Sequence, residues 1–310
     1  MGESIVKIEG LSHRYSVQWA VRDINLELNR RGIFGLLGAN GAGKSTIMNV
    51  VCGVIKPTRG QVFIKGIDIQ KNPVAAKKHM GFLPQQPPLQ GEFNVQEFLA
   101  YAASVRLVPD KDIPAAVNEV MEKCGLSHMR ERLIKNLSGG YKQRVGIAQS
   151  IIHKPEFVVL DEPTNGLDPN QILEVRQLIR EISEYCTVIL STHILQEVQA
   201  LCDHIWMLND GAVVFSGSME EFDNYIAPNS MMVAFMAKPP KEELMSVPGI
   251  TGVEEIDGTK VRVRFTAWPD TAEKLIETSQ LKRWRLVEIN LEKSSMEAIF
   301  NELSNKQSQS

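Results

Sequence analysis

The segment GANGAGKST, Gly38 to Thr46, constrains this chain more than any other. It matches the spacing G-x-x-x-x-G-K-[ST]. The run before it, Ile33 to Leu37, is short and apolar and predicts a buried strand. The run after it, Lys44 to about Val51, predicts a helix. Strand, glycine-rich turn and helix in that order set backbone N–H groups at the positive end of a helix with no Cβ in the way, an anion cradle. Gly38, Gly41 and Gly43, with Asn40 and Ala42 between them, are read as the cradle itself. Lys44 supplies a mobile positive charge for β- and γ-phosphates, the Ser45 hydroxyl suits Mg²⁺, and Thr46 reaches an α-phosphate. A chance match would lack the flanking strand and helix. The ligand implied is a nucleotide with its Mg²⁺.

A second element points the same way. FVVLDEP, Phe157 to Pro163, is an apolar run ending in two carboxylates. A run apolar at every position suits a parallel strand buried on both faces. An acid at the carboxyl end of such a strand lies in the crevice where open α/β sheets bind ligands. Asp161 is therefore the candidate to hold Mg²⁺, and Glu162 the candidate to polarise an attacking water. Two acids capping a strand end in solvent is the plainer alternative, and the neighbouring phosphate loop argues against it.

The remaining pattern sets the architecture. IVKIEGLSHRY and AVRDINLELN alternate as half-buried antiparallel strands do, GQVFIKGIDI reads as a further strand pair, and TVILSTH, Thr187 to His193, reads as another buried parallel strand around Val188 to Leu190. NQILEVRQLIREISEY between the two apolar strands has helical spacing. Residues 92–135 are expected to be mostly helical, broken between Pro109 and Pro114. Strand and helix in alternation predict a mainly parallel sheet with helices on its faces. The texture changes after about Tyr225, with a linker expected at Ala227 to Ser230. Residues 231–303 then read as strand, helix, two strands, helix, strand, helix, a small α+β domain whose last helix opens with a capping box, Ser294 and Glu297. The expected division is a nucleotide-binding domain over 1–226, with a helical part at about 86–155, and an accessory domain over 227–310.

Composition excludes some functions. A net charge of −3 gives no field calling for nucleic acid or anionic lipid. No stretch approaches the ~20 apolar residues that span a bilayer, and Met1-Gly2-Glu3-Ser4 starts no secretory signal. The four cysteines, Cys52, Cys124, Cys186 and Cys202, stand far apart in no metal-ligand spacing, as reduced, buried residues would.

NLSGGYKQRVGIAQSII begins at Asn136. Leu137-Ser138-Gly139-Gly140 with Lys142-Gln143-Arg144 resembles the signature motif of ABC ATPases, with Tyr141 where Gln is commonest. A serine and two glycines opening a helix form a second anion nest, one that a single nucleotide on the first loop cannot also use. The resemblance implies the P-loop NTPase fold of the ABC cassette: a mainly parallel sheet, an antiparallel β subdomain and a helical subdomain. It implies a head-to-tail dimer in which Ser138, Gly139 and Gly140 of one protomer close on the ATP of the other. It further implies that Tyr15 stacks on adenine, that Gln85 of GFLPQQ senses Mg²⁺ and links to a membrane partner, that Asp168 of NGLDP reaches across the dimer, and that His193 holds the γ-phosphate and orients Glu162. The function implied is ATP hydrolysis driving a separate integral membrane permease from the cytoplasmic face of the membrane. The partners implied are that permease and a second copy or a homologous ATPase. The resemblance implies that the surface from about Pro87 to Tyr101 receives the permease, with Pro87, Pro88, Leu89 and Phe93 as contacts; the alternative for Leu89 and Phe93 is ordinary core. The C-terminal part resembles the appendix of export, drug- or ion-efflux and gliding-motility ATPases. The alternative is a soluble ABC ATPase acting on ribosomes or DNA, which usually carries two cassettes or an inserted coil.

Overall fold

The computed structural model describes residues 4–236, 238–292 and 296–307. Gly2 and Ser294, the N-cap of the expected capping box, lie outside the described residues. The chain divides into two compact units, Met1–Met219 and Glu220–Ser310.

The first unit opens with two long strands, β1 (Val6–Tyr15) and β2 (Gln18–Leu28), whose alternating burial follows their alternating sequence. Next come β3 (Ile33–Leu37), α1 (Lys44–Val51), β4 (Arg59–Ile64), β5 (Ile67–Asp68), α2 (Pro73–Lys78) and β6 (Met80–Leu83). Three helices follow: α3 (Val95–Val105), α4 (Ile113–Lys123) and α5 (Gly139–Ile151). The unit then alternates through β7 (Phe157–Asp161), α6 (Pro169–Ser183), β8 (Thr187–Thr192) and α7 (Leu195–Leu201), and closes with β9 (His204–Asn209) and β10 (Ala212–Ser218).

Two sheets result. The smaller is antiparallel, in the order β2-β1-β4-β5, and the larger runs β10-β9-β3-β8-β7-β6. The larger is parallel from β9 to β6, with β10 antiparallel at its edge. Every residue of β3, β7 and β8 is buried, which is why their sequences lack alternation. One hydrophobic core joins the inner face of the small sheet (Val6, Ile8, Leu26) to α1 (Ile47, Met48) and to the large sheet (Leu36, Ile189, Trp206). Helices α3, α4 and α5 pack on one another. Asn94 and Glu97 form a reciprocal capping box that starts α3. Sequence spacing alone leaves β6, β9 and β10 unannounced. The break expected over Pro109 to Pro114 falls between Val105 and Ile113, and Pro114 itself occupies the first turn of α4, where its missing N–H costs nothing.

The second unit holds α8 (Met219–Asp223) from its second residue onward, then β11 (Ser230–Phe235), α9 (Lys241–Met245), β12 (Ile250–Glu255), β13 (Lys260–Phe265), α10 (Asp270–Lys282), β14 (Leu286–Glu292) and α11 (Met296–Gln307). The order from β11 onward is the expected one. Ser230, read as linker, begins β11. The sheet is antiparallel, ordered β12-β13-β11-β14, and buries its own core of Met231, Val233, Phe235, Val261, Leu275 and Trp284.

Candidate active site at the mouth of the parallel sheet

The strand order β3-β8-β7 brings three carboxyl ends together. Leu37 pairs with Thr192, and Asp161 pairs with Ser191. The loop after β3, the acids after β7 and His193 after β8 therefore open on the same edge of the sheet. A pocket of about 370 Å³ lies there, lined by Tyr15, Gln18, Trp19, Ala20, Asn40, Gly41, Gly43, Lys44, Ser45, Thr46, Gln85 and Glu162.

The glycines of the loop serve different ends. Gly43 caps α1 at φ +106°, and a Cβ there would stand 2.5 Å from Val21 Cγ1 and 2.8 Å from the Ala20 carbonyl oxygen. Only glycine meets both conditions. A Cβ on Gly38 would stand 2.7 Å from the Leu208 carbonyl oxygen. Ala42 N–H donates to the Ala39 carbonyl, closing the turn. Lys44 is buried, and its Nζ donates to the carbonyls of Gly38 (2.8 Å) and Ala39 (3.2 Å). Burial pushes its ammonium below the usual lysine range, against the opposing pull of the Glu162 and Asp161 carboxylates.

Asp161 and Glu162 are both buried. Burial pushes the Asp161 carboxyl above the usual range and the Glu162 charge adds to this, while the Ser191 hydroxyl, Lys44 and the Ser45 hydroxyl act the other way. Asp161 Oδ1 and Ser191 Oγ are nonetheless both buried without a hydrogen-bond partner in good geometry. Orphaned oxygens at that depth fit a bound cation. Among the described residues no cluster of three His, Cys, Asp or Glu could hold a metal. The available donors, an acid, a hydroxyl and an amide carbonyl, are hard oxygens that suit Mg²⁺ sharing its shell with phosphate and water.

Glu162 sits one residue beyond the strand at φ +51°, fixed by its N–H donating to the Ser191 carbonyl at 2.9 Å. Its carboxylate meets His193 Nδ1 at 2.8 Å and 2.9 Å through its two oxygens. With a proton on Nδ1 the ring donates to the carboxylate and Nε2 is left for another partner.

The residues read from the sequence fall into two groups. Tyr15, Asn40, Gly41, Gly43, Lys44, Ser45, Thr46, Gln85 and Glu162 line one pocket; Gly38, Asp161 and His193 are tied to it through Lys44 and Glu162, and Ala42 through the Ala39 carbonyl that Lys44 also meets. Ser138, Gly139, Gly140 and Asp168 do not line it. Ser138 is the N-cap of α5 but makes no capping hydrogen bond, and both it and Gly139 are exposed. Gly140 is packed against Gln171, where a Cβ would stand 2.7 Å from the side-chain amide. Asp168 is the N-cap of α6, accepting from Gln171 N–H at 3.0 Å. Gln18, Trp19 and Ala20 line the pocket unforeseen. The signal was present in the hairpin, since Tyr15 pairs with Gln18 and Arg14 with Trp19.

A groove on the same unit is lined by Val54, Val74, Pro88, Phe98, Tyr101, Val105, Leu107 and others. Of the four residues expected near a membrane partner, only Pro88 lines it. Phe93 stands beside it, with its ring 6.0 Å edge-on from that of Tyr101. Among the described residues no helix is long and apolar enough to cross a membrane.

Comparison with known proteins agrees with this geometry. The sequence pattern of the ABC transporter family matches residues 21–165. The bacitracin transport ATP-binding protein BcrA of Bacillus licheniformis is 37% identical over 68% of this chain and 69% of its own. The ABC transporter ATP-binding protein YhcH of Bacillus subtilis is 28% identical over 97% of this chain and 96% of its own. The solved structure of cbiO1 from Clostridium perfringens, part of the ABC transporter complex cbiONQ, superposes with a TM-score of 0.65 at 29% identity, over 72% of this chain and 92% of that one. The phosphate loop, the acids after β7 and the matching relatives agree: the chain belongs to the ATP-binding, ATP-hydrolysing subunits of ABC transporters.

Proposed function

We propose that two copies of the chain, or one with a homologous ATPase, close head to tail around two Mg–ATP, and that hydrolysis reopens them to drive a separate membrane permease from the cytoplasmic face. The observation that carries this reading is the Glu162–His193 pair, 2.8 Å apart at the edge of a pocket lined by Asn40, Gly41 and Gly43 to Thr46 of the phosphate loop.

In this reading the N–H groups of Gly41 to Ser45 and the Lys44 ammonium bind the β- and γ-phosphates. Lys44 is held ready by carbonyl contacts that a phosphate replaces. Ser45, Asp161 and Gln85 would hold Mg²⁺, which neutralises phosphate charge when bound. Tyr15 covers the base, and Thr46 meets the α-phosphate. Glu162 takes a proton from water, and His193 fixes its carboxylate and stabilises the γ-phosphate. The exposed, uncapped Ser138 and Gly139 are free to complete the site of a second protomer, as is the Asp168 loop. Residues 1–226 act as the ATPase cassette with 86–155 as its helical part, and 227–310 as an accessory domain. The apolar groove beside α3 takes the permease.

Equilibrium ATP binding and steady-state hydrolysis by the purified full chain test the assignment. Glu162→Gln should keep ATP affinity and lose ~100-fold or more in kcat, the scale of a lost general base. Lys44→Ala should lose affinity. Wild-type turnover by Glu162→Gln, or undiminished binding by Lys44→Ala, would contradict it.

A further inference from the structure

Glu197 is the most deeply buried carboxylate among the described residues of the first unit, and the account above leaves it without a task. It lies in the first turn of α7 and is 1% exposed. A carboxylate there favours the positive end of a helix, and an exposed acid does that as well. Burial at this depth needs partners, and Glu197 takes them from two other segments. Thr164 Oγ1, on the loop two residues after Glu162, donates to Oε1. Thr192 Oγ1, the residue before His193, donates to Oε2 at 3.0 Å.

Each hydroxyl fixes a backbone segment that carries a reacting group. Thr192 Oγ1 also accepts the N–H of Ile194 at 3.1 Å, so His193 sits between two anchored residues. The Asn165 N–H donates to the Glu162 carbonyl and the Leu167 N–H to the Thr164 carbonyl, so the turn pinned at Thr164 holds Glu162 at its start and leads on to Asp168. One carboxylate thus ties the loop of the base to the loop of the histidine.

We propose that Glu197 is a positioning residue that sets the distance and angle between Glu162 and His193 through the hydroxyls of Thr164 and Thr192. The inference rests on the roles proposed for Glu162 and His193. It adds that their mutual geometry is imposed from behind, by a residue that touches neither ATP nor water.

Glu197→Gln is the informative variant. Its amide keeps one acceptor and places a donor where a hydroxyl now donates. Thr192 Oγ1 already spends one of its two lone pairs on the Ile194 N–H, so Thr164 is the less crowded acceptor and takes the reversal more readily. In the full chain, kcat should fall ~10- to 100-fold, the scale of a misplaced catalytic pair, with KM and ATP affinity within about twofold. Thr164→Val should do the same and Thr164→Ser should restore activity. In a His193→Ala background Glu197→Gln should cost nothing more, because the pair it positions is already broken. Should Glu197→Gln fail to fold, by thermal melting, the two Thr164 variants carry the test. Wild-type kcat in folded Glu197→Gln or Thr164→Val, or an undiminished further loss on His193→Ala, would overturn the proposal. Full activity of Glu162→Gln in the same assay would instead overturn the proposed function, and the positioning role with it.

Discussion

Glu162 holds a backbone conformation that side chains avoid, at φ +51°, at a cost of about 1–3 kcal/mol. Its N–H bond to the Ser191 carbonyl and its carboxylate bond to His193 hold it there. Away from the site, His153 carries a different strain. Its Nε2–H donates to the Met80 carbonyl at 2.9 Å, while Nδ1 is buried without a partner. Burial, with the Arg106 guanidinium adding to it, pushes its imidazole down to about 4. The folded value lies below the ordinary ~6.5, so the unfolded chain takes up the proton first as pH falls. The stability from a neutral His153 is present above about pH 6.5 and is lost as pH falls toward about 4. His153→Gln keeps a donor for Met80 and does not titrate. Its urea midpoint should therefore fall less between pH 7.5 and 5 than that of the wild type; equal falls would contradict the assignment. The residues proposed to meet phosphate, Mg²⁺ and the attacking water were legible in the sequence, because Gly38 to Thr46 and Asp161–Glu162 are local patterns. Glu197 was not, since an acid in the first turn of a helix reads as an exposed one until Thr164 and Thr192 are seen to close on it.

Among the elements, the fully buried strands were the most legible: β3, β7 and β8 are buried at every residue and need no alternation. Strand β6 escaped notice because it is four residues long and contains Gly81, where a Cβ would stand 1.9 Å from the Ser150 carbonyl oxygen of α5. That glycine exists to let helix and strand touch, and it erases the apolar pattern that would announce the strand. Helix α3 shows the opposite case, an apolar pattern that overshoots burial. Val95, Phe98, Leu99, Ala102 and Ala103 face inward, yet Tyr101 and Val105 stay exposed, at 55% and 60%. Together with Pro88 and Val54 they border the groove proposed for the permease. Tyr101→Asp should leave basal ATPase unchanged. It should cut the polytopic membrane protein recovered with the chain from detergent-solubilised native membranes ~10-fold, as loss of an interface aromatic does. Equal recovery by quantitative mass spectrometry would place the partner elsewhere.

For the whole molecule, each of the two units has its own core, and the pocket proposed for the nucleotide lies in the first. The second was legible as an order of strands and helices, because its hydrophobic runs are short and separated by turn residues. Its task was not, since no local motif marks its surface. Within the first unit the pocket leaves the signature residues aside, and this is the strongest structural reason to expect a partner across it. Sedimentation velocity of Glu162→Gln, with and without Mg–ATP, tests that claim most directly. The account predicts a monomer without nucleotide, a dimer with Mg–ATP, and a monomer again when Ser138→Arg is added to the same chain. A monomer at saturating Mg–ATP, or a dimer indifferent to Ser138→Arg, would contradict it.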